Sequence, residues 1–142
     1  MPSSCRITRE VDVYVAMSQA RELATEVGFG LTDRTRIEIV VLELTRNLLV
    51  HAGGGKLILT RLDDPTHGSG IAVEAIDTGP GIADIDLALQ DGYSTAQTLG
   101  AGLPGVRRLM DEFSIESTVG VGTRVRAVKW LTTPQRRLIY GR

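Results

Sequence analysis

The sequence is poor in the features that mark secreted, membrane and nucleic-acid-binding proteins. Cys5 is the one cysteine, so no disulfide can form within the chain, and we expect a reducing, cytoplasmic setting. The formal net charge is −1, which argues against general nucleic-acid binding. No apolar run is long enough to cross a bilayer, and the stretch MPSSCRITREVDV lacks the apolar core of a signal peptide. We therefore expect neither a membrane segment nor a nucleic-acid partner.

The composition is that of a soluble globular domain. Hydrophobic residues make up 42% and charged residues 23% of the 142 residues. This length suits one domain with one core, and neither an internal repeat nor a long linker interrupts it. We therefore predict a single domain over residues 1–142, in which the last ten residues, TPQRRLIYGR, are an exposed tail or a short docking segment.

The first part of the chain has the spacing of one strand and two helices. Residues 11–15, VDVYV, alternate valine with other residues, which predicts a first strand. Apolar residues then recur at helical spacing over 16–27, and the glycines that follow predict the end of that helix. A second helix, capped by Thr32 or Asp33, is predicted to run to residue 51 or 52, where three consecutive glycines end it.

The second part of the chain is rich in strands. The predicted elements, in order, are strands over 56–62 and 70–77, a short helix near 84–90, a helix over 103–110, and a closing hairpin of strands over 113–119 and 123–130. The strands are mostly consecutive, which favours antiparallel pairing. We therefore predict an α+β fold, a two-layer sandwich with helices on one face of a mixed, mostly antiparallel sheet.

Glu43 and Asn47 lie four residues apart on the predicted second helix, so they share one face of it beside the buried Leu44 and Leu48. Such a pair can simply support a helix surface, by roughly 0.2–0.5 kcal/mol. An acid and an amide can also face a metal–phosphate group, because Mg²⁺ prefers oxygen ligands and a nearby carboxylate can act as a base. The spacing alone leaves both interpretations open.

Asp77 ends an apolar strand and begins the stretch DTGPG. A carboxylate in this position can cap a turn. It can also accept hydrogen bonds from the exocyclic amine of a base, and Gly79 and Gly81 would let a flat base approach the backbone closely. Both interpretations remain open at this point.

The glycine-rich stretch QDGYSTAQTLGAGLPGV, residues 90–106, precedes a predicted helix. Its Gly100, Gly102 and Gly105 form a GxGxxG pattern, but no strand of a parallel βαβ unit comes before it, so we reject a dinucleotide-binding motif. What remains is a helix N-terminus whose free amides could bind an anion. The stretch GVGT, residues 120–123, needs no explanation beyond a tight hairpin turn.

In this order, the motifs ELTRN, DTGPG, GAGLPG and GVGT resemble the N box and the three glycine boxes of the nucleotide-binding fold shared by histidine kinases, gyrase, Hsp90 and MutL. The resemblance spans about residues 10–131, which makes this range the expected core and 132–142 the tail. The strings DGYST and LGAGLPGVRRLMDEF are similar to those of the anti-sigma family of serine/threonine kinases. Within that family they look most like the RsbT-type switch kinases of the stressosome.

This resemblance implies a role for each motif residue. Glu43 would be the general base, Asn47 would bind Mg²⁺, and Asp77 would accept the adenine amino group. Thr123 would complete the adenine site, directly or through water. The implied ATP-binding residues are Asn47, His51, Asp77, Gly79, Gly81, Gly100, Ala101, Gly102, Leu103, Gly105 and Thr123. For His51, a plain histidine at a helix end is an equally good interpretation. Residues 90–102 would form a mobile ATP lid, poorly ordered without nucleotide.

The implied function is that of a Mg-ATP-dependent protein serine/threonine kinase. Such an enzyme would phosphorylate STAS-domain antagonist or scaffold proteins and, once released, activate a PP2C-type phosphatase. We expect a monomer that joins a large complex. Three alternatives remain: an anti-sigma factor kinase that holds a sigma factor, a nucleotide-gated binding module without transferase activity, and a detached catalytic domain of a sensor histidine kinase.

Overall fold

The computed structural model describes residues 2–90 and 102–131. Within these ranges the elements are, in order, β1 (Ser3–Ile7), α1 (Glu10–Val27), α2 (Leu31–Ala52), β2 (Gly55–Asp64), β3 (Gly68–Asp77), α3 (Ile85–Ala88), α4 (Gly102–Leu109), β4 (Glu112–Thr118) and β5 (Gly122–Trp130). None of these helices has the length and hydropathy needed to span a membrane. The predicted tail over 132–142 and most of the predicted lid lie outside the described residues.

The described strands form one sheet in the order β1-β2-β3-β5-β4. The sheet that we predicted as mixed and mostly antiparallel is antiparallel in every described pairing. Alternate residues of β3 and β5, such as Val73 and Ala127, are fully buried and share one hydrophobic core with α1 and α2. The predicted α+β sandwich is therefore confirmed.

Residues 11–15, which we predicted to be a strand, form the first turns of α1. Val13 is fully buried, whereas Val11 and Val15 are 50% and 46% exposed. The prediction was wrong because the alternation covers only three valines, while a helical period runs on from Val13 to Val27. A long run at helical spacing outweighs a short alternation.

The first strand of the sheet is instead β1, which the sequence pattern did not predict. Only Cys5 and Ile7 of its five residues are buried, so its pattern is too short to stand out. The later predicted strands and helices are present, and their boundaries lie within two residues of the predicted ones. The elements with long hydrophobic patterns were therefore predicted correctly, whereas β1, whose pattern is short, was missed.

The start of α2 also differs from the prediction. Gly30 is its N-cap residue and adopts an extended conformation, so neither Thr32 nor Asp33 caps the helix. Asp33 lies inside the first turn, where its Oδ1 accepts a hydrogen bond from Arg36 Nη1 at 3.0 Å. The predicted end is confirmed, because Gly53 follows the helix with a φ of 73°, a conformation that glycine adopts readily.

Asp12 holds the first turn of α1 in place. Its Oδ2 accepts hydrogen bonds from the backbone N–H groups of Thr8 and Arg9, both at 2.9 Å, and from Thr8 Oγ1 at 3.1 Å. The two backbone hydrogen bonds stabilise the charged form of the carboxylate and hold the pKa of Asp12 below its ordinary value of 3.8. The bond from Thr8 has the larger effect.

We expect Asp12→Ala to lower the melting temperature by about 5 °C at pH 7, because the backbone N–H groups of Thr8 and Arg9 lose their acceptor. A lowered pKa stabilises the folded state above the unfolded pKa, and this contribution is lost as the pH falls through the folded pKa. The difference in melting temperature between wild type and Asp12→Ala should therefore stay constant near neutral pH and become smaller below about pH 4. Thermal melts from pH 7 to pH 3 measure this, with Asp86→Ala as a control. A pH-independent difference would contradict the assignment.

The fold brings several element ends together at one end of the sheet. Asp77, the last residue of β3, pairs across the sheet with Thr123 at the start of β5. The helix α2 packs against both β3 and α4. The ends of these elements surround the site described next.

Candidate functional site

A cavity of about 840 Å³ lies between α2, the loop after β3, α3, the start of α4 and β5. This volume falls within the range of small-molecule sites, which is about 300–1,000 Å³. The predicted binding residues that line the cavity are Asn47, His51, Asp77, Gly81, Gly102, Leu103 and Thr123. Residues that lie far apart in the sequence thus share one site, and Gly100 and Ala101 lie outside the described residues.

Asp77 presents its carboxylate to this cavity from the end of β3. Its Oδ1 accepts hydrogen bonds from the backbone N–H of Gly79 at 2.9 Å and from that of Thr123 at 3.3 Å. These two bonds fix the orientation of the carboxylate. Among the described residues both donors go to Oδ1, so Oδ2 has its lone pairs for a ligand that carries a hydrogen-bond donor.

Two glycines allow the loop after β3 to fold tightly against the hairpin between β4 and β5. Gly81 has a φ of 79°, and a Cβ atom on it would lie 2.5 Å from the carbonyl oxygen of Thr118. Gly122 has a φ of 149°, and a Cβ there would collide with the carbonyl oxygen of Asp77. Both positions therefore need glycine for the close approach of two backbones, independently of any ligand.

Gly79 does not line the cavity. A Cβ atom on it would lie 2.8 Å from the Cβ of Ala52, so this residue packs against the end of α2. Its contribution to the site is the backbone N–H that holds Asp77.

Glu43, Asn47 and His51 follow one another at successive turns of α2 but differ in depth. Glu43 is 1% exposed and is not among the residues that line the cavity. Asn47 is half-buried and His51 is exposed, and both line the cavity. Asn47 and His51 therefore present polar groups directly to the cavity, whereas Glu43 does not.

The start of α4 forms another wall of the cavity. Gly102, with a φ of 71°, and Leu103 line the cavity, whereas Gly105 is buried within the helix and does not. The first N–H groups of a helix have no partner within it and point along its axis, which suits an anion such as a phosphate.

A metal ion at this site would need a bound phosphate to supply some of its ligands. Within residues 2–90 and 102–131, no group of three or more His, Cys, Asp and Glu side chains could hold an ion. Asn47 offers one amide oxygen at the cavity wall. This matches Mg²⁺ chemistry, because that ion keeps several waters and is often held by few side chains together with phosphates.

Ser117 is a residue of the site that sequence reasoning missed. Its Oγ lies 2.7 Å from Thr123 Oγ1 and accepts a hydrogen bond of 2.7 Å from the backbone N–H of Ile82. It faces the same side of β4 as Phe113 and Ile115. A hydroxyl in an otherwise apolar row of a strand was the signal that could have found it.

The order of motifs and the geometry of the cavity agree with one known family. Residues 32–134 match the model of the histidine kinase-, DNA gyrase B-, and HSP90-like ATPases. The chain belongs to this ATPase family. ATP is therefore the ligand that the family relationship implies for the cavity.

Relatives at higher identity narrow the relationship. The chain is 46% identical over 129 residues to the serine/threonine-protein kinase RsbT of Bacillus subtilis, which covers 91% of this chain and 96% of that protein. It is 34% identical over 111 residues to the anti-sigma F factor of Thermoanaerobacter sp. strain X514, covering 76% and 78% of the two chains. The predicted resemblance to RsbT-type serine/threonine kinases is confirmed by this similarity.

Solved structures share the fold at low sequence identity. The RsbU and RsbW domains of a Mycobacterium tuberculosis protein match with a TM-score of 0.61 and 16% identity, over 91% of this chain and 31% of that one. A structure of the SiaB–SiaC complex from Pseudomonas aeruginosa matches with a TM-score of 0.60 and 14% identity, over 90% and 89% of the two chains. These similarities support the fold alone.

Proposed function

We propose that this chain transfers the γ-phosphate of Mg-ATP to a serine or threonine hydroxyl of a STAS-domain protein. The observation that carries the proposal is that one cavity brings together two acceptors, Asp77 and Thr123, the amide of Asn47 and the start of α4. This combination suits a ligand with an amino-bearing base and a chain of phosphates.

Asp77 and Thr123 would bind the base. Oδ2 of Asp77, which accepts no hydrogen bond from the described residues, would accept one from the exocyclic amine of adenine. The apolar residues Ile82, Leu87 and Val125 also line the cavity and would cover the faces and edges of a flat ring. Binding of the base would fix the position of the phosphates relative to α2 and α4.

The start of α4 and the amide of Asn47 would hold the phosphates. The backbone N–H groups near Gly102 and Leu103 would donate to phosphate oxygens. Bound Mg²⁺ would neutralise charge that develops on the phosphates during transfer. Asn47 would supply an oxygen ligand for this ion, and His51, which lines the cavity at the end of α2, would donate a hydrogen bond to a phosphate oxygen.

Glu43 would act as the base in the chemical step. The substrate hydroxyl oxygen forms a bond to the γ-phosphorus, the bond from that phosphorus to the β–γ bridging oxygen breaks, and the hydroxyl proton passes to the Glu43 carboxylate. Glu43 lies one turn before Asn47, about 6 Å along the helix axis, and does not line the cavity, so this role requires that a hydroxyl held near Asn47 pass its proton to Glu43 directly or through one water. ADP leaves with the bridging oxygen.

The partner proteins follow from the resemblance to RsbT-type kinases. A STAS-domain protein would be the substrate, and a PP2C-type phosphatase would be activated by the released kinase. An apolar strip on α1 supports a protein partner: Val11, Tyr14 and Val15 are 50%, 54% and 46% exposed at helical spacing. Exposed apolar patches of this kind often mark protein contacts.

Phosphate transfer from γ-labelled ATP to a STAS-domain protein encoded beside this chain tests the proposal. We expect Mg²⁺-dependent label on the partner that survives acid, as phosphoserine and phosphothreonine do. A partner in which the labelled serine or threonine is replaced by alanine is the matched control. Acid-labile label would indicate a histidine kinase instead. ATP binding without transfer to any STAS partner tried would indicate a nucleotide-gated binding module.

The similarity to anti-sigma F factors supports a second candidate, a kinase that also holds a sigma factor. A pull-down with sigma factors, with ADP or ATP present, separates the two. Stable, nucleotide-dependent capture of a sigma factor would favour this second candidate.

A further inference from the structure

We propose that Ser117 sets the base specificity of the nucleotide site by fixing the hydroxyl of Thr123 as a hydrogen-bond acceptor toward the cavity. The inference rests on the proposed function in so far as it takes the ligand of this cavity to be a purine nucleotide. It concerns a residue that does not itself line the cavity.

Ser117 joins three elements around the site. Its Oγ lies 2.7 Å from the backbone N of Ile82 in the loop after β3, 3.2 Å from the carbonyl oxygen of Gly122, and 2.7 Å from Thr123 Oγ1 on β5. Ser117 and Thr123 are also directly opposite each other across β4 and β5. The serine therefore acts as a positioning residue for the wall that carries Thr123.

The direction of the hydrogen bond to Thr123 follows from the other two partners. A serine hydroxyl has one proton to donate and two lone pairs that accept. The N–H of Ile82 can only donate and the carbonyl of Gly122 can only accept, so Ser117 accepts from the first and donates to the second. All three contacts are hydrogen bonds only if the remaining lone pair of Ser117 accepts the proton of Thr123, and the proposal takes this direction. This arrangement satisfies all three contacts at once.

The consequence is that two neighbouring side chains, Asp77 and Thr123, both offer acceptors to a base. With its proton held by Ser117, Thr123 presents only lone pairs to the cavity. Asp77 next to it is held by two backbone N–H groups and also offers an acceptor. Placed opposite position 6 of a purine, these acceptors favour the 6-amino group of adenine and disfavour the 6-oxo group of hypoxanthine, because two facing acceptors repel and leave a buried polar group unpaired.

The test compares the binding of ADP and IDP by titration calorimetry in wild type and Ser117→Ala. Diphosphates are used because they have no γ-phosphate to transfer. We expect wild type to prefer ADP. In Ser117→Ala the Thr123 proton is released and can turn toward the 6-oxo group, so the preference for ADP should fall by about five-fold, through tighter IDP binding. A loosened site would weaken both nucleotides and could not produce this gain.

Two further variants separate specificity from folding. Ser117→Thr keeps the hydroxyl and should keep the wild-type preference. In a Thr123→Val background, Ser117→Ala should have no further effect on the ratio of the two dissociation constants, because the effect acts through the Thr123 hydroxyl.

An unchanged ratio in Ser117→Ala would overturn the inference, as would an equal loss of affinity for both nucleotides, or a changed ratio that persists without the Thr123 hydroxyl. In each of these cases, retained phosphate transfer by wild type would leave the proposed function standing. Wild-type protein that bound neither nucleotide would overturn both.

Discussion

Asp77→Asn should weaken ADP binding by about 100-fold while the protein remains folded. The structure gives the reason. Oδ1 of Asp77 accepts hydrogen bonds from the backbone of Gly79 and Thr123, and the single oxygen of asparagine would be held in that position. The amide NH₂ would then take the place of Oδ2 and point its protons at the adenine amino group. A charged acceptor would thus be replaced by a donor that faces another donor.

Titration calorimetry with ADP and a thermal melt measure the two parts of this prediction. Asp63→Asn is a matched control, because Asp63 is exposed at the opposite end of the β2–β3 hairpin and pairs across it with Ser69. We expect this control to bind ADP like wild type. An Asp77→Asn protein that bound ADP within about three-fold of wild type would show that Asp77 does not face the base amine.

The parts of the fold that sequence reasoning predicted correctly have long, regular patterns. The 22 residues of α2 repeat their apolar positions over several turns, so the helix, its end and the shared face of Glu43 and Asn47 could all be predicted. The sequence pattern likewise predicted the end of β3 and the start of β5, so Asp77 and Thr123 were assigned close to their actual positions. Six of the seven predicted residues that line the cavity come from these elements and from α4, and the seventh, Gly81, comes from the loop after β3.

The features that could not be predicted from the sequence depend on contacts between distant segments of the chain. Spacing along α2 shows which face Glu43 occupies, but only the packing of α2 on the sheet and α4 shows that it is fully buried. Gly122 looked like a plain turn glycine, although a side chain there would collide with the backbone at Asp77. The hydroxyl of Ser117 in an apolar row of β4 could have drawn attention, but its role could not be predicted, because its partners on β5 and in the loop after β3 meet only in the folded protein.

Glu43→Gln should reduce phosphate transfer by a factor of about 10²–10⁴ and leave ADP binding within about two-fold of wild type. A serine hydroxyl is a weak nucleophile, and the glutamine amide cannot take its proton. Binding should persist because Glu43 lies behind the cavity wall and is not among the residues that line it. Glutamine has nearly the same volume as glutamate, so the packing of the fully buried position is preserved.

The transfer rate at saturating ATP and the dissociation constant for ADP, measured on the same preparation, separate the chemical step from binding. Glu38→Gln is the control on the same helix, because Glu38 pairs with Arg21 on the surface at 2.9 Å. It should transfer phosphate at the wild-type rate. Equal losses of transfer and of ADP affinity in Glu43→Gln would make Glu43 a structural support of the site. Transfer at the wild-type rate would exclude Glu43 as the base and direct the search for it to another acceptor near the cavity.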